Sequence, residues 1–233
     1  MNSKSNLIFL LDVDNTLLDN DAVIKDIDHE FGQQFGEENR QRYWDISTAL
    51  RRELGYVDYL GALQRYRNES RSDPRLYTLS SFLLDYPFSQ RLFPQTLDVL
   101  QHLRSLGPTV IVSDGDIVFQ PRKIQRSGLW DAVEGRVLIY QHKEQMLYDI
   151  ARRYPAHHYV MVDDKLQILS AMKKSWADLL TTVFVRQGHY AHDKANVDGY
   201  PAADISIETI ADLLAIDFAD HVGWAIAQHS LCK

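Results

Sequence analysis

Leu7-Ile8-Phe9-Leu10-Leu11-Asp12-Val13-Asp14-Asn15-Thr16 decides the fold. Five consecutive large apolar residues read as a strand buried on both faces, the signature of a parallel sheet. Two carboxylates then follow with one residue between them. In open parallel sheets, ligands bind just beyond the carboxyl ends of the strands. Two like charges this close repel unless a cation or a shared proton relieves them. A metal, an acid/base role, or both, is the expectation for Asp12 and Asp14.

The rest of the chain repeats the strand-then-polar pattern. Thr109-Val110-Ile111-Val112 ends at Ser113-Asp114-Gly115, and Tyr159-Val160-Met161-Val162 ends at Asp163-Asp164. Shorter strands are expected at 136–140, 182–185 and 205–206. Helices are expected between them, at 143–153 and 165–176 among others. A helix or two on the core is expected at 211–227, with a dimer face as the alternative. Alternating strands and helices with short links mean βαβ units, right-handed crossovers and a parallel sheet. The segment from Asn20 to Tyr86 has almost no strand signal. It reads as helices near 20–35, 37–54, 57–70 and 77–86, with Ile24, Ile27, Phe31 and Phe35 at helical spacing and Gly36, Gly55 and Pro74 as punctuation. The fold class is therefore α/β: a Rossmann-like parallel sheet core with helices on both faces, plus an all-helical unit inserted after the first strand. The expected division is residues 1–17 with 91–233 for the core and 18–90 for the insert.

Composition narrows the function classes. The chain has 233 residues, 45% of them hydrophobic, enough for one or two domains with a real core. A formal net charge of −7 argues against a nucleic-acid partner, which usually selects a basic footprint. Cys232 is the single cysteine, so no intrachain disulfide can form and a reducing, cytoplasmic compartment is expected. The apolar run at 7–11 is too short to span a bilayer and has no cleavage pattern after it, so no membrane partner or signal peptide is expected.

Four strand ends thus offer complementary groups. Asp12 and Asp14 follow the first strand. Ser113 follows the second, with the turn chemistry of Asp114 and Gly115. Lys143 comes after the third, and Asp163-Asp164 after the fourth. Carboxylates suit a hard divalent cation such as Mg²⁺. A lysine, a hydroxyl and exposed backbone amides suit a phosphate.

Taken in order, these segments resemble the four motifs of the haloacid dehalogenase-like (HAD) hydrolase superfamily, and the helical insert is similar to that superfamily's helical cap. The resemblance implies a Mg²⁺-dependent phosphatase acting on a small phosphorylated metabolite through an aspartyl-phosphate, as a monomer or homodimer. It implies that Asp12 is the nucleophile. Asp14 would protonate the leaving oxygen, activate water and bind the metal through its backbone carbonyl. Ser113 and Lys143, with Asp114, Gly115 and Thr16 in supporting loops, would hold phosphate. Asp164 would bind the metal with Asp12, and Asp163 would stand behind it or share that duty. The chain departs from the pattern at Asn15, where many relatives carry Gly. It departs again at Leu166, Gln167, Ile168 and Leu169, where a further Asp is common. A phosphomutase, a dehalogenase, a phosphonatase and a catalytically silent phosphate-binding regulator are the alternatives. Asp14 speaks against the dehalogenase, which has no leaving oxygen to protonate. Lys25 would have to supply the phosphonatase's Schiff base, and nothing marks it out.

Other residues carry plainer expectations. His157-His158 reads as a surface or edge pair. His189 and His192 flank a loop that could line the site entrance. Arg40, Arg42, Arg51, Arg52, Arg65 and Arg67 read as solvated and paired, with one or two facing substrate. Tyr43, Trp44 and Tyr56 read as core of the insert.

Overall fold

A computed structural model describes residues 5–70 and 73–218. Its centre is a six-stranded, all-parallel sheet in the order β3-β2-β1-β4-β5-β6. The strands are β1 (Ser5–Leu11), β2 (Thr109–Asp114), β3 (Val137–Tyr140), β4 (Ala156–Asp163), β5 (Leu180–Val185) and β6 (Ile205–Ile207). From β1 the chain builds outward on one side, then returns to build on the other. The order therefore reverses between β1 and β4, and the loops there part to leave a crevice. Asp12 emerges at this point. Its N–H still donates to the Val162 carbonyl at 3.0 Å, so the ladder carries it to the level of Asp163.

The apolar run behaves as its composition dictates. Phe9, Leu11 and Val13 join the apolar cluster on one side of the sheet, and Ile8 and Leu10 the cluster on the other. Burying each such side chain stabilises the fold by about 1.5–3 kcal/mol.

Four helices follow β1: α1 (Asn20–Phe35), α2 (Glu37–Leu54), α3 (Tyr59–Ser70) and α4 (Arg75–Asp85). In α1 the buried row is Val23, Ile27, Phe31 and Phe35, a strict i, i+4 series. Val23 takes the place expected of Ile24, which turns toward a cleft. In α2, Tyr43, Ile46, Ser47 and Leu50 are buried. Trp44 is only half-buried, and its Nε1 donates to Asp28 at 2.6 Å. Helix α4 begins directly after Pro74, because proline is tolerated where no amide is needed. The core helices are α5 (Thr96–Leu106), α6 (Phe119–Arg126), α7 (Leu129–Ala132), α8 (Leu147–Arg153), α9 (Leu166–Trp176), α10 (Gly188–His192) and α11 (Lys194–Val197).

Three further expectations are corrected. The helix expected at 143–153 is a 3₁₀ turn, Lys143–Gln145, followed by α8. Strand β4 starts at Ala156, because β1 extends back to Ser5 and supplies it with a partner. His158 is consequently inside the sheet and buried, with Nε2 2.8 Å from Thr181 Oγ1, while His157 on the alternate face is exposed. The helix expected at 211–227 is, in its described part, a 3₁₀ turn, Ile210–Ala215, started by a Thr209/Asp212 capping box. Positions 219–227 and Cys232 lie outside the described residues. Among the described residues, no helix is long and apolar enough to cross a membrane.

Candidate active site

The carboxyl ends of β1, β2 and β4 and the loop after β3 converge. Lys143, buried, points its ammonium at Asp12 Oδ1 (2.5 Å) and Asp163 Oδ2 (2.7 Å). Its own backbone is pinned, because the Lys143 N–H donates to Asp114 Oδ1 at 2.8 Å. Burial alone would lower the Lys143 pKa. Asp12, Asp163 and Asp114 outweigh that and raise it, so the residue stays charged.

Asp12, Asp163 and Asp164 are all buried and can each bring one oxygen within 4.8 Å of the others. Asp12 Oδ2 and both Asp164 oxygens have no hydrogen-bond partner, whereas Asp163 Oδ1 accepts from the Lys165 amide at 2.9 Å and Asp163 Oδ2, which also lacks a hydrogen bond, faces the Lys143 ammonium. Burial pushes the Asp163 and Asp164 carboxyls up, against the pull of Lys143 and Lys165 respectively. Buried carboxylates without donors are costly unless a cation meets them. The donor set, hard oxygens with unfilled lone pairs, suits a divalent cation. Of the two adjacent acids, Asp164 has the free oxygens. Asp163 is already engaged.

Asp14 belongs to a different group. Its carboxyl lies 2.7 Å from Lys123 Nζ, and Gln120 Nε2 donates to its other oxygen at 3.3 Å. The same Gln120 amide donates to Ser113 Oγ at 2.9 Å, and the Ser113 hydroxyl itself donates to the Asp114 carbonyl over a long 3.5 Å. Both donors come from the buried face of α6, with Phe119 and Ile124. The sequence reading missed them. The available signal was two polar residues at core-facing positions in the helix that follows the Ser113 strand.

Other expected site residues behave differently. Gly115 cannot offer its amide to a phosphate, because that N–H donates to the Tyr140 carbonyl at 2.9 Å. Asp114 serves as the anchor of Lys143, and burial pushes its carboxyl up to about 6 despite the Lys143 charge. A carboxyl in that position repels a phosphate rather than binding it. The Thr16 hydroxyl is buried without a partner, and its carbonyl accepts from Gln187 at 3.2 Å. Asn15 matters more than expected. It adopts a positive φ of 62°, and its Oδ1 accepts from the Asn20 and Asp21 amides at 3.0 and 3.2 Å, capping α1.

A cleft of about 260 Å³ opens onto Asp14, Asp114 and Gln120. Its far wall is Arg51 and Tyr56 from the helical insert, and its side wall is His189 and Tyr190 from α10. Arg51 is thus the insert arginine that faces the site. Arg40, Arg42 and Arg65 are paired with Asp28, Glu69 and Glu53. Tyr56 lines the cleft rather than the insert's core, where Tyr43 is fully buried. Hydrogen bonds join the insert to α10. The His189 N–H and Nδ1 meet the two Asp21 oxygens at 2.8 and 2.6 Å, and Arg51 donates to the Tyr190 hydroxyl.

The chain is similar to known proteins of one family. A family profile described as haloacid dehalogenase-like hydrolase matches residues 7–175. A crystal structure of a haloacid dehalogenase-like hydrolase from Burkholderia xenovorans LB400 is 60% identical, with a TM-score of 0.87, covering 91% of this chain and 99% of that one. The HAD-hydrolase YfnB from Bacillus subtilis, bound to magnesium, is 15% identical, with a TM-score of 0.61, covering 91% and 98%. An L-2-haloacid dehalogenase is 16% identical, with a TM-score of 0.62, covering 91% and 98%. The last two share the fold alone. No curated protein matches the chain.

Proposed function

Because the chain belongs to the haloacid dehalogenase-like hydrolases, we propose that it is a Mg²⁺-dependent phosphatase of a small phosphorylated metabolite, with segment 18–90 acting as a cap over a core of 1–17 and 91–233. The observation that carries this reading is the pair of separately held carboxyls: Asp12 on Lys143, and Asp14 on Lys123 and Gln120. A dehalogenase needs the first and has no use for the second.

Asp164 and Asp12, with the Asp14 backbone carbonyl and Asp163 alongside, would hold Mg²⁺. When bound, the ion offsets the repulsion between an attacking carboxylate and a phosphoryl dianion. The remaining work falls to the protein. Asp12, held through Oδ1 by the Lys143 ammonium, attacks phosphorus through its other oxygen. An ammonium has three N–H groups. Two of those on Lys143 face Asp12 and Asp163, and the third is available to a phosphoryl oxygen; the Ser113 hydroxyl would join it by leaving its long bond to the Asp114 carbonyl. Asp14 gives its proton to the leaving oxygen as the P–O bond breaks. In the second half-reaction it takes a proton from water as water attacks the aspartyl-phosphate, which releases inorganic phosphate and restores Asp12. The cap helices exclude bulk water and select the substrate. A phosphomutase would use the same two carboxyls.

The test is a panel of phosphomonoesters assayed for phosphate release and for isomerisation, with and without Mg²⁺, against Asp12→Asn. Mg²⁺-dependent release by the wild type and none by the variant is expected. Equal rates in the two would refute the assignment.

A further inference from the structure

Lys123 is the buried charge that the chemistry above leaves without a task. It is 1% exposed, and a buried ammonium costs several kcal/mol unless it is paired. Its Nζ meets Asp14 Oδ1 at 2.7 Å and Asn20 Oδ1 at 3.0 Å, with the Phe119 ring centroid 5.4 Å away. Gln120, three residues earlier on the same face of α6, donates to the other Asp14 oxygen at 3.3 Å. Each oxygen of Asp14 therefore receives a donor from one rigid helix. The Asp14 side chain nevertheless remains 27% exposed on the cleft side. One helix face fixes the plane of the carboxyl, and the cleft keeps access to its outer lone pairs. Asn20 is the first residue of α1, so the insert also contributes to the position of Lys123.

We infer that Lys123 is a positioning residue for the reaction, holding the Asp14 carboxyl in the orientation from which its proton passes to the leaving oxygen. The inference rests on the phosphatase reading. In the step it serves, an Asp12 oxygen bonds to phosphorus, the phosphorus–oxygen bond to the alcohol breaks with its electron pair on oxygen, and the Asp14 proton moves to that oxygen. Lys123 itself neither gains nor loses a proton.

A proton on the leaving oxygen matters most when the alcohol is a poor leaving group. The experiment therefore compares Lys123→Met with wild type on p-nitrophenyl phosphate and on a primary-alkyl phosphate, glycerol phosphate, with Mg²⁺ present. Lys123→Met is expected to lose on the order of 10²-fold in kcat on the alkyl ester, about threefold on the aryl ester, and nothing further in an Asp14→Asn background, where coupled residues cease to add. Lys123→Gln, which keeps an uncharged donor near Asn20, should show the same selectivity and serves if the Met variant does not fold. Equal losses on both esters, or full additivity with Asp14→Asn, would overturn the inference and leave the phosphatase reading intact. Absence of wild-type turnover on every ester would overturn both.

Discussion

Lys143 Nζ lies 2.5 Å from Asp12 Oδ1, and the two side chains are among the most enclosed charges in the protein. They are 131 residues apart in sequence, brought together only because β1 and the loop after β3 end at the same rim of the sheet. Removing one member of a buried pair leaves its partner charged and unmatched. Lys143→Met should therefore lower unfolding stability by about 3–5 kcal/mol in metal-free protein. Denaturant melts of both proteins check this; a loss below about 1 kcal/mol would mean that water already solvates Asp12.

A divalent cation is expected to stabilise the fold through Asp12 and Asp164. Mg²⁺ at a hundredfold excess over its Kd should add about 2.7 kcal/mol and raise the Tm correspondingly. Asp164→Asn should abolish most of that rise, because both oxygens of Asp164 are without protein partners. An identical Mg²⁺ response in the variant would move the site elsewhere.

Asp114 should leave a pH signature. Its carboxyl is pushed up to about 6 by burial, so the folded state binds this proton more tightly than the unfolded chain does. The sign follows from linkage. Its contribution to stability falls as pH rises from about 4 to about 6, and the penalty is complete above that. Asp114→Asn can still accept from the Lys143 amide and removes the buried charge. It should be more stable than wild type at pH 7 by on the order of 2 kcal/mol and equal to it near pH 4, measured in metal-free protein. A constant difference across that range would contradict the account.

Gly188 and Asn15 form the tight spot where α10 meets the loop after β1. Gly188 has φ +68°, and a Cβ there would fall 2.4 Å from Asn15 Cβ and Cγ. Gly188→Ala should cost about 1–3 kcal/mol. It should also weaken the Asn15 cap on α1, seen as faster proteolysis within 20–35. Unchanged stability would mean that the loop after β5 can shift freely.

Much of this was legible in the chain, and the remainder was not for a physical reason. The run Leu7–Leu11 reads as a two-sided buried strand, and a strand of that kind fixes where Asp12 must emerge. The helices of the insert announce themselves by period and by Gly36 and Gly55. Lys123 could not be assigned in the same way, since its meaning lies in a partner 109 residues away. Local spacing shows only a charged residue on an apolar face. Tyr56 and Arg51 likewise became cleft residues only when the insert packed against α10. His158 became a core residue because β1 reaches back to Ser5 and lengthens β4. Gly115 had the turn chemistry expected of it, but the sheet claimed its amide first.

The most direct measurement is acid quenching of the protein during turnover of a phosphomonoester, followed by peptide mass spectrometry. One phosphoryl group is expected on Asp12 of the wild type. Asp12→Asn should carry none and release no phosphate. Phosphate release by the wild type that persists undiminished in Asp12→Asn, or a phosphoryl group found on another residue, would contradict the account.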